Sequence, residues 1–302
     1  MTGSQAEATP FFILGSQRSG TTMLRLMLNN HPNLCVPHET GFVIPFYLKL
    51  DHYAPLENKN NLSRLIDDIA QHPHVVNGEL IKDKDALLSK KPGDYATLIA
   101  EIMRSYADAC GKKRWGDKTP SYTEHIDILY RLFPNAKFIH LLRDGRDVAL
   151  SLQNLSWGSK CVPRLARDWA AKTVICHKVG NVLPKGSFFE LKYENLVLEP
   201  QAKLKEICEF LGEDYSDEIL AYSDKGKENM PKASMKWHEN SIRAPNPKKL
   251  YGWKKKMPEA DRIIFEEVAG ETLKYFDYEL ESKPSTLTSK IKNLYYSTIV
   301  KW

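Results

Sequence analysis

Short apolar runs alternate with stretches of helical periodicity along this chain. Phe11-Phe12-Ile13-Leu14-Gly15 is continuously apolar and stops at a glycine, the pattern of a buried strand. Beyond Ser16–Gly20, Leu24, Met27 and Leu28 recur at helical spacing, and the turn-forming Asn30-His31-Pro32 ends the helix. The unit repeats downstream. Tyr122, Ile126 and Leu129 predict a helix, Pro134-Asn135 a turn, Phe138–Leu142 a buried strand, and Val148, Leu152 and Leu155 another helix. Phe188–Tyr193 predicts a further strand, followed by a helix bearing Leu204, Ile207, Cys208 and Leu211. Such alternation implies an α/β fold with a central, mostly parallel sheet flanked by helices. Ligands in such folds bind at the carboxyl ends of the strands.

Between these units lies a helical insertion, at about residues 44–115. A short amphipathic helix is expected over Leu62–Ile69 and a longer one over about Asp94–Cys110, while His72–Lys91 is polar and has no clear period. With the aromatic-rich Phe42–Tyr53, this region is where an acceptor pocket is expected. No internal repeat and no Gly/Ser- or Pro-rich linker divides the chain, so residues 1–302 read as one domain. The terminal extension, 281–302, mixes Lys with Leu, Tyr, Ile, Val and Trp. It reads as a docked helix or strand, a homodimer contact, or a peripheral membrane contact.

Composition narrows the class. With 302 residues, 42% hydrophobic and 27% charged, the chain can bury a core without disulfides or metals. A net charge of +5 suits an anionic ligand but is too small and dispersed for nucleic acid. Cys35, Cys110, Cys161, Cys176 and Cys208 stand far apart with no C-x-x-C pair, which predicts reduced thiols and no structural zinc. The polar first ten residues and the short run from Phe11 read as neither signal peptide nor membrane span. Together these favour the cytoplasm.

Gly15-Ser-Gln-Arg18-Ser19-Gly20-Thr21-Thr22 has the frame of a nucleotide P-loop, but Thr21 stands where that motif needs lysine. The loop retains the means to bind an anion: N–H groups at a helix N-terminus, the hydroxyls of Ser19, Thr21 and Thr22, and the Arg18 fork. The plainer alternative is that Ser19 and Thr21 cap the helix. In Phe138-Ile-His-Leu-Leu-Arg143-Asp-Gly-Arg146-Asp147, Arg143 leaves a buried strand, and Ser151 follows on the next helix. This pair is placed to clasp a second phosphate, while Arg146 and Asp147 are expected to pair with each other or with neighbours.

R-S-G-T-T together with L-R-D-G-R-D-V-x-x-S resembles the family of sulfotransferases that use 3'-phosphoadenosine-5'-phosphosulfate (PAPS). The bacterial members and the protein-tyrosine sulfotransferase branch are the most similar in motif style. The resemblance runs from Phe11 to about Pro258 and is weak between Ile44 and Trp115. It implies the P-loop-NTPase-like sulfotransferase fold and PAPS as co-substrate. Arg18, Ser19, Gly20, Thr21 and Thr22 would then hold the 5'-phosphosulfate, Arg143 and Ser151 the 3'-phosphate, and Tyr193 would lie beside the adenosine. Tyr193 also reads as a core tyrosine at a strand end.

Glu39, in Pro37-His38-Glu39-Thr40, resembles the catalytic base of the tyrosine-sulfotransferase branch. His38 is the competing base, since imidazole titrates near neutrality unaided, and His238 is a third. Lys118, in Trp115-Gly-Asp-Lys118-Thr-Pro120, resembles the family's catalytic lysine, with Asp117 as a salt-bridge partner and a solvated surface lysine as the plainer reading. The segment 236–258 resembles the basic lid over PAPS, departing from its glycine and aspartate pattern. Ser241 there is a candidate phosphate bridge, and Lys248 and Lys249 are candidate lid contacts. No metal is implied. The expected reaction is in-line displacement at sulfur onto a hydroxyl, less often an amine, of a small-molecule acceptor. Protein tyrosine, carbohydrate or lipid are the alternative acceptors. The rival functions are a kinase or NTPase with a degenerate P-loop and a nucleotide-binding scaffold.

Overall fold

Every strand pairing in the central sheet is parallel. The computed structural model describes residues 9–225, 241–281 and 286–299. Strands β1 (Phe11–Leu14), β2 (Leu34–Cys35), β3 (Arg114–Asp117), β4 (Lys137–Leu142) and β5 (Phe188–Lys192) lie in the order β2-β3-β1-β4-β5. Phe12 stands beside Phe138 and Leu14 beside His140 in the register of β1 and β4. Leaving β1, the chain passes through helix α1 (Thr21–Asn29) to β2 on one side; leaving β3, it crosses back to β4 on the other. The loop after β1 therefore opens at the point where strand order reverses, the usual ligand crevice of such sheets.

The pleat sorts β1 between two cores. Phe12 and Leu14 face the insertion, and Phe12 stacks on Phe138 at 5.6 Å. Phe11 and Ile13 face Leu24, Met27 and Leu28 of α1. The insertion is helical as expected: α2 (Val43–Tyr47), α3 (Lys59–Ala70), α4 (Pro73–Gly78), α5 (Lys84–Ser89) and α6 (Tyr95–Ala109). The polar stretch without clear period holds α4 and α5, too short to show one. The core strand Arg114–Asp117 follows the insertion. Neither β2 nor β3 was legible as a strand: β2 is only two residues long, and β3 carries Arg, Gly and Asp where β1, of the same length, is wholly apolar.

The remaining helices are α7 (Ile126–Leu132), α8 (Gly145–Gln153), α9 (Val162–Val182), α10 (Tyr193–Leu198), α11 (Pro200–Leu211), α12 (Tyr222–Lys225), α13 (Trp253–Lys256), α14 (Glu259–Tyr275) and α15 (Leu287–Ile299). Tyr193 opens α10 instead of ending β5. Among the described residues, no helix is long and apolar enough to cross a membrane.

Candidate active site

A cavity of about 510 Å³ opens over the N-terminus of α1, at the carboxyl ends of β1 and β4. Arg18, Gly20, Thr21, Thr22, Glu39, Arg143, Ser151, Tyr193, Ser241, Lys248 and Lys249 line it. Residues expected from 133 positions of separation thus share one wall: Arg18 Nε donates to Ser151 Oγ at 3.0 Å. Arg143 Nη1 donates to the Arg18 carbonyl at 2.9 Å, and its guanidinium lies 4.5 Å from the centre of the Tyr193 ring. The loop after β1 and the Arg143 motif, read from sequence as two phosphate clasps, adjoin.

The loop before α1 takes a backbone conformation that few residues adopt. Arg18 sits at φ 70° and Gly20 at φ 94°, both left-handed. A Cβ on Gly20 would come within 2.3 Å of the Tyr193 ring, so glycine is required twice over, by conformation and by space. The start of the loop is pinned by Thr123, whose Oγ1 accepts from Gly15 N at 2.9 Å and donates to Gly15 O at 3.0 Å. Helix α1 has no side-chain cap, so the capping reading of Ser19 and Thr21 is not what the structure adopts. Its N-terminus instead faces the cavity with the hydroxyls of Thr21 and Thr22 beside it. Ser19 is buried and lies outside the lining.

Below the cavity, Lys118 Nζ donates to Glu39 Oε1 at 2.6 Å and to Thr22 Oγ1 at 3.3 Å. Lys118 is 0% exposed and the Glu39 side chain 23%, so the surface-lysine reading is excluded. Burial pushes Glu39 up. The Lys118 ammonium and its hydrogen bond, with His38 and His74, outweigh it and hold the carboxyl below its ordinary value. Burial lowers Lys118, against the opposing pull of Glu39. Asp117 is not the salt-bridge partner expected of it. Its carboxylate accepts from Thr40 Oγ1 at 2.5 Å and Thr119 Oγ1 at 2.9 Å, and burial raises it to about 6. Thr40 in turn meets Tyr122 OH at 3.0 Å, which fixes the segment carrying Glu39 against β3 and the turn after it.

The second motif divides its labour. Arg146 does not pair with Asp147. It forms ion pairs with Asp144 at 2.8 Å and Glu266 at 2.6 Å, and lies 3.6 Å from the centre of the Trp253 ring. Trp253 Nε1 donates to Asp144 Oδ2 at 3.0 Å, and Trp253 N donates to Asp147 Oδ1 at 2.9 Å. The acidic residues of the motif therefore anchor the segment 241–258, which closes one side of the cavity with Ser241, Lys248 and Lys249. His238 lies outside the described residues.

Sequence reading missed several residues. Arg25 is buried in α1, donates to Val36 O at 3.1 Å, feels the Glu39 carboxylate, and bears electrostatically on Lys118. Its signal was a charge set among Leu24, Leu26 and Leu28 on an apolar helix. Trp157, Lys255 and Lys256 also line the cavity. Among the described residues its walls carry six cationic side chains against two carboxylates, a bias toward a polyanion.

Residues 10–217 match the model of the sulfotransferase family. The chain belongs to that family. Protein-tyrosine sulfotransferase A of Caenorhabditis elegans is 27% identical over 293 residues, covering 91% of this chain and 69% of that protein. An uncharacterized protein of Aquifex aeolicus (strain VF5) is 25% identical over 268 residues, covering 85% of this chain. The chain spans only 32% of the Aquifex protein's length. The sulfotransferase domain of the Synechococcus PCC 7002 olefin synthase matches in structure with a TM-score of 0.62 at 24% identity, covering 91% of this chain and 96% of that one. The expected sulfotransferase fold is the fold observed.

Proposed function

We propose that this sulfotransferase-family chain moves the sulfuryl group of PAPS onto a hydroxyl, less often an amine, of a small-molecule acceptor by in-line displacement. The observation that carries the reading is the buried Lys118–Glu39 pair, set against Thr22 at the floor of a cationic cavity. A base, a cation and a helix N-terminus meet there, the groups that sulfuryl transfer to an acceptor oxygen calls for: one to take the acceptor proton and two to offset charge on the sulfuryl and phosphate oxygens.

The donor set fits a nucleotide phosphorylated at two places. Arg18, Gly20, Thr21 and Thr22 would hold the 5' end at the start of α1, and Arg143 with Ser151 the 3'-phosphate, beside Tyr193. Ser241, Lys248 and Lys249 would close over it; Ser19, buried beneath, shapes the loop. Bound PAPS supplies a sulfuryl group on a phosphate leaving group.

Glu39 takes the acceptor proton as the acceptor oxygen bonds to sulfur. Lys118, with Arg18, neutralises the phosphate oxygen released when the sulfur–oxygen bond breaks. The pair has a built-in order. While Lys118 holds Glu39, the carboxylate is a weak base; drawing Lys118 toward an anion in the cavity weakens that hold and makes Glu39 more basic. His38 bears on Glu39 electrostatically without lining the cavity, which supports Glu39 over His38 as base.

The test is transfer of label from PAPS to a panel of alcohols, phenols and amines in the presence of a chelator. Transfer to a small acceptor supports the proposal, and magnesium-dependent ATP turnover instead would sink it. The protein-tyrosine sulfotransferase of C. elegans, aligned over nine-tenths of this chain, favours a second reading in which the acceptor is a protein tyrosine. A tyrosine peptide belongs in the same panel.

A further inference from the structure

Helix α15 turns an apolar stripe outward. Its inward side is mixed: Ser289 is buried, Lys292 Nζ lies 2.6 Å from Asp261 Oδ1 of α14, and Tyr296 packs against the core cluster that holds Trp169 and Phe265. Its start is defined by reciprocal hydrogen bonds, Ser289 N to Thr286 Oγ1 at 3.1 Å and Thr286 N to Ser289 Oγ at 3.0 Å. The outward side is apolar. Leu287, Ile291, Leu294 and Tyr295 follow helical spacing and are 75%, 60%, 65% and 57% exposed. A helix that merely completed the fold would turn this stripe inward.

We propose that α15 is a membrane-surface anchor, docked on the protein by Ser289, Lys292 and Tyr296 and presenting Leu287, Ile291, Leu294 and Tyr295 to an anionic lipid surface. Charge selects the occupant. Residues 283–302 contain four lysines and no aspartate or glutamate, together with Tyr295, Tyr296 and Trp302. Aliphatic side chains, interfacial aromatics and lysines are the composition of a helix lying in the headgroup plane. Lys290 is exposed and lies within one turn of Leu287, Ile291 and Leu294, where its stem runs along apolar surface and its ammonium reaches lipid phosphates.

A second copy of the chain fits less well. Stable dimers bury roughly 800 Å² and 20–30 residues a side, against four side chains here. A two-fold contact along the stripe would also enclose two Lys290 ammoniums with no carboxylate in the segment to pair them. Being too short and too polar to span, α15 would hold the enzyme at the surface reversibly.

The experiment is co-sedimentation of the full chain with phosphatidylcholine vesicles, with and without phosphatidylserine. The bound fraction is expected to rise at least about tenfold with phosphatidylserine and to fall at high salt. Ile291→Glu/Leu294→Glu should abolish binding while leaving the thermal melt and the mass by light scattering unchanged. Absence of binding to phosphatidylserine vesicles overturns the proposal, as does equal binding by the double variant. A dimer that the double variant splits assigns the stripe to a second copy instead.

Discussion

Arg18 Nε and Ser151 Oγ meet at 3.0 Å across 133 residues of sequence, joining the loop after β1 to helix α8. Both residues line the cavity, so a ligand bound on the loop lies within reach of α8. Replacing Ser151 with Ala should weaken 3',5'-bisphosphoadenosine about tenfold, the loss of one hydrogen bond near a charge, about 1.4 kcal/mol. Arg18→Ala should cost at least about a hundredfold, since a charged fork goes. Calorimetry in the presence of a chelator measures both, and unchanged affinity in Arg18→Ala removes the loop from the donor site.

Glu39→Gln should lower transfer by roughly 10²–10⁴-fold while bisphosphoadenosine affinity stays near that of the parent chain. Retained activity would take Glu39 out of the role of base.

Lys118→Met separates the two halves of the pair. The lysine is what holds Glu39 below its ordinary value against the opposite push of burial. Without it the carboxyl titrates higher, so the acid limb of the kcat/KM profile should move to higher pH, alongside a loss of rate. In the parent chain the lowered value of the Glu39 carboxyl contributes stability above pH 4.5, the unperturbed value, and this contribution is lost as pH falls through the lowered value. An acid limb that stays in place in Lys118→Met would mean that the pair does not set the basicity of Glu39.

Trp253 ties the segment 241–258 to α8 through Asp144, Asp147 and Arg146. Trp253→Ala should cost about 3–5 kcal/mol of stability, as for a buried aromatic. Asp144→Asn keeps the shape but strips the charge that faces Arg146, and should be destabilised as well. Denaturant melts decide, and a wild-type midpoint for Trp253→Ala would mean the segment is not anchored there.

His140 is buried in β4, with Nδ1 2.8 Å from Glu190, which also meets His177 at 3.0 Å. Burial alone would lower the imidazole, but Cys176 and Glu190 reverse the sign and raise it to about 10 from 6.5. A raised value stabilises the fold fully below pH 6.5 and the contribution is lost as pH climbs through about 10. The melting temperature should therefore fall across that window, and Glu190→Gln should flatten the fall. A profile identical in parent and variant would refute the assignment.

Much of this was readable one residue at a time. The β1 run is continuously apolar, and β4 is broken only by His140 between Phe138 and Leu142, because both faces of the sheet are covered; the glycines and arginines of both motifs are local in sequence. Strands β2 and β3 were not readable: they are strands through their pairing with neighbours, and their own side chains carry little strand preference. Nor was Arg25 legible as part of the site, since a helical period assigns a face but not what that face meets.

Local pattern decided the order of strand, loop and helix, and so the place of the loop after β1, because backbone sterics and periodicity act over a few residues. Everything depending on distant partners waited for the fold. Tertiary packing turned two motifs into one wall through Arg18 and Ser151, gave Lys118 to Glu39 and not to Asp117, and made Trp253 the anchor of the loop over the cavity. The reason is common to all three: burial and Coulomb pairing depend on three-dimensional distance, and sequence separation carries no information about it.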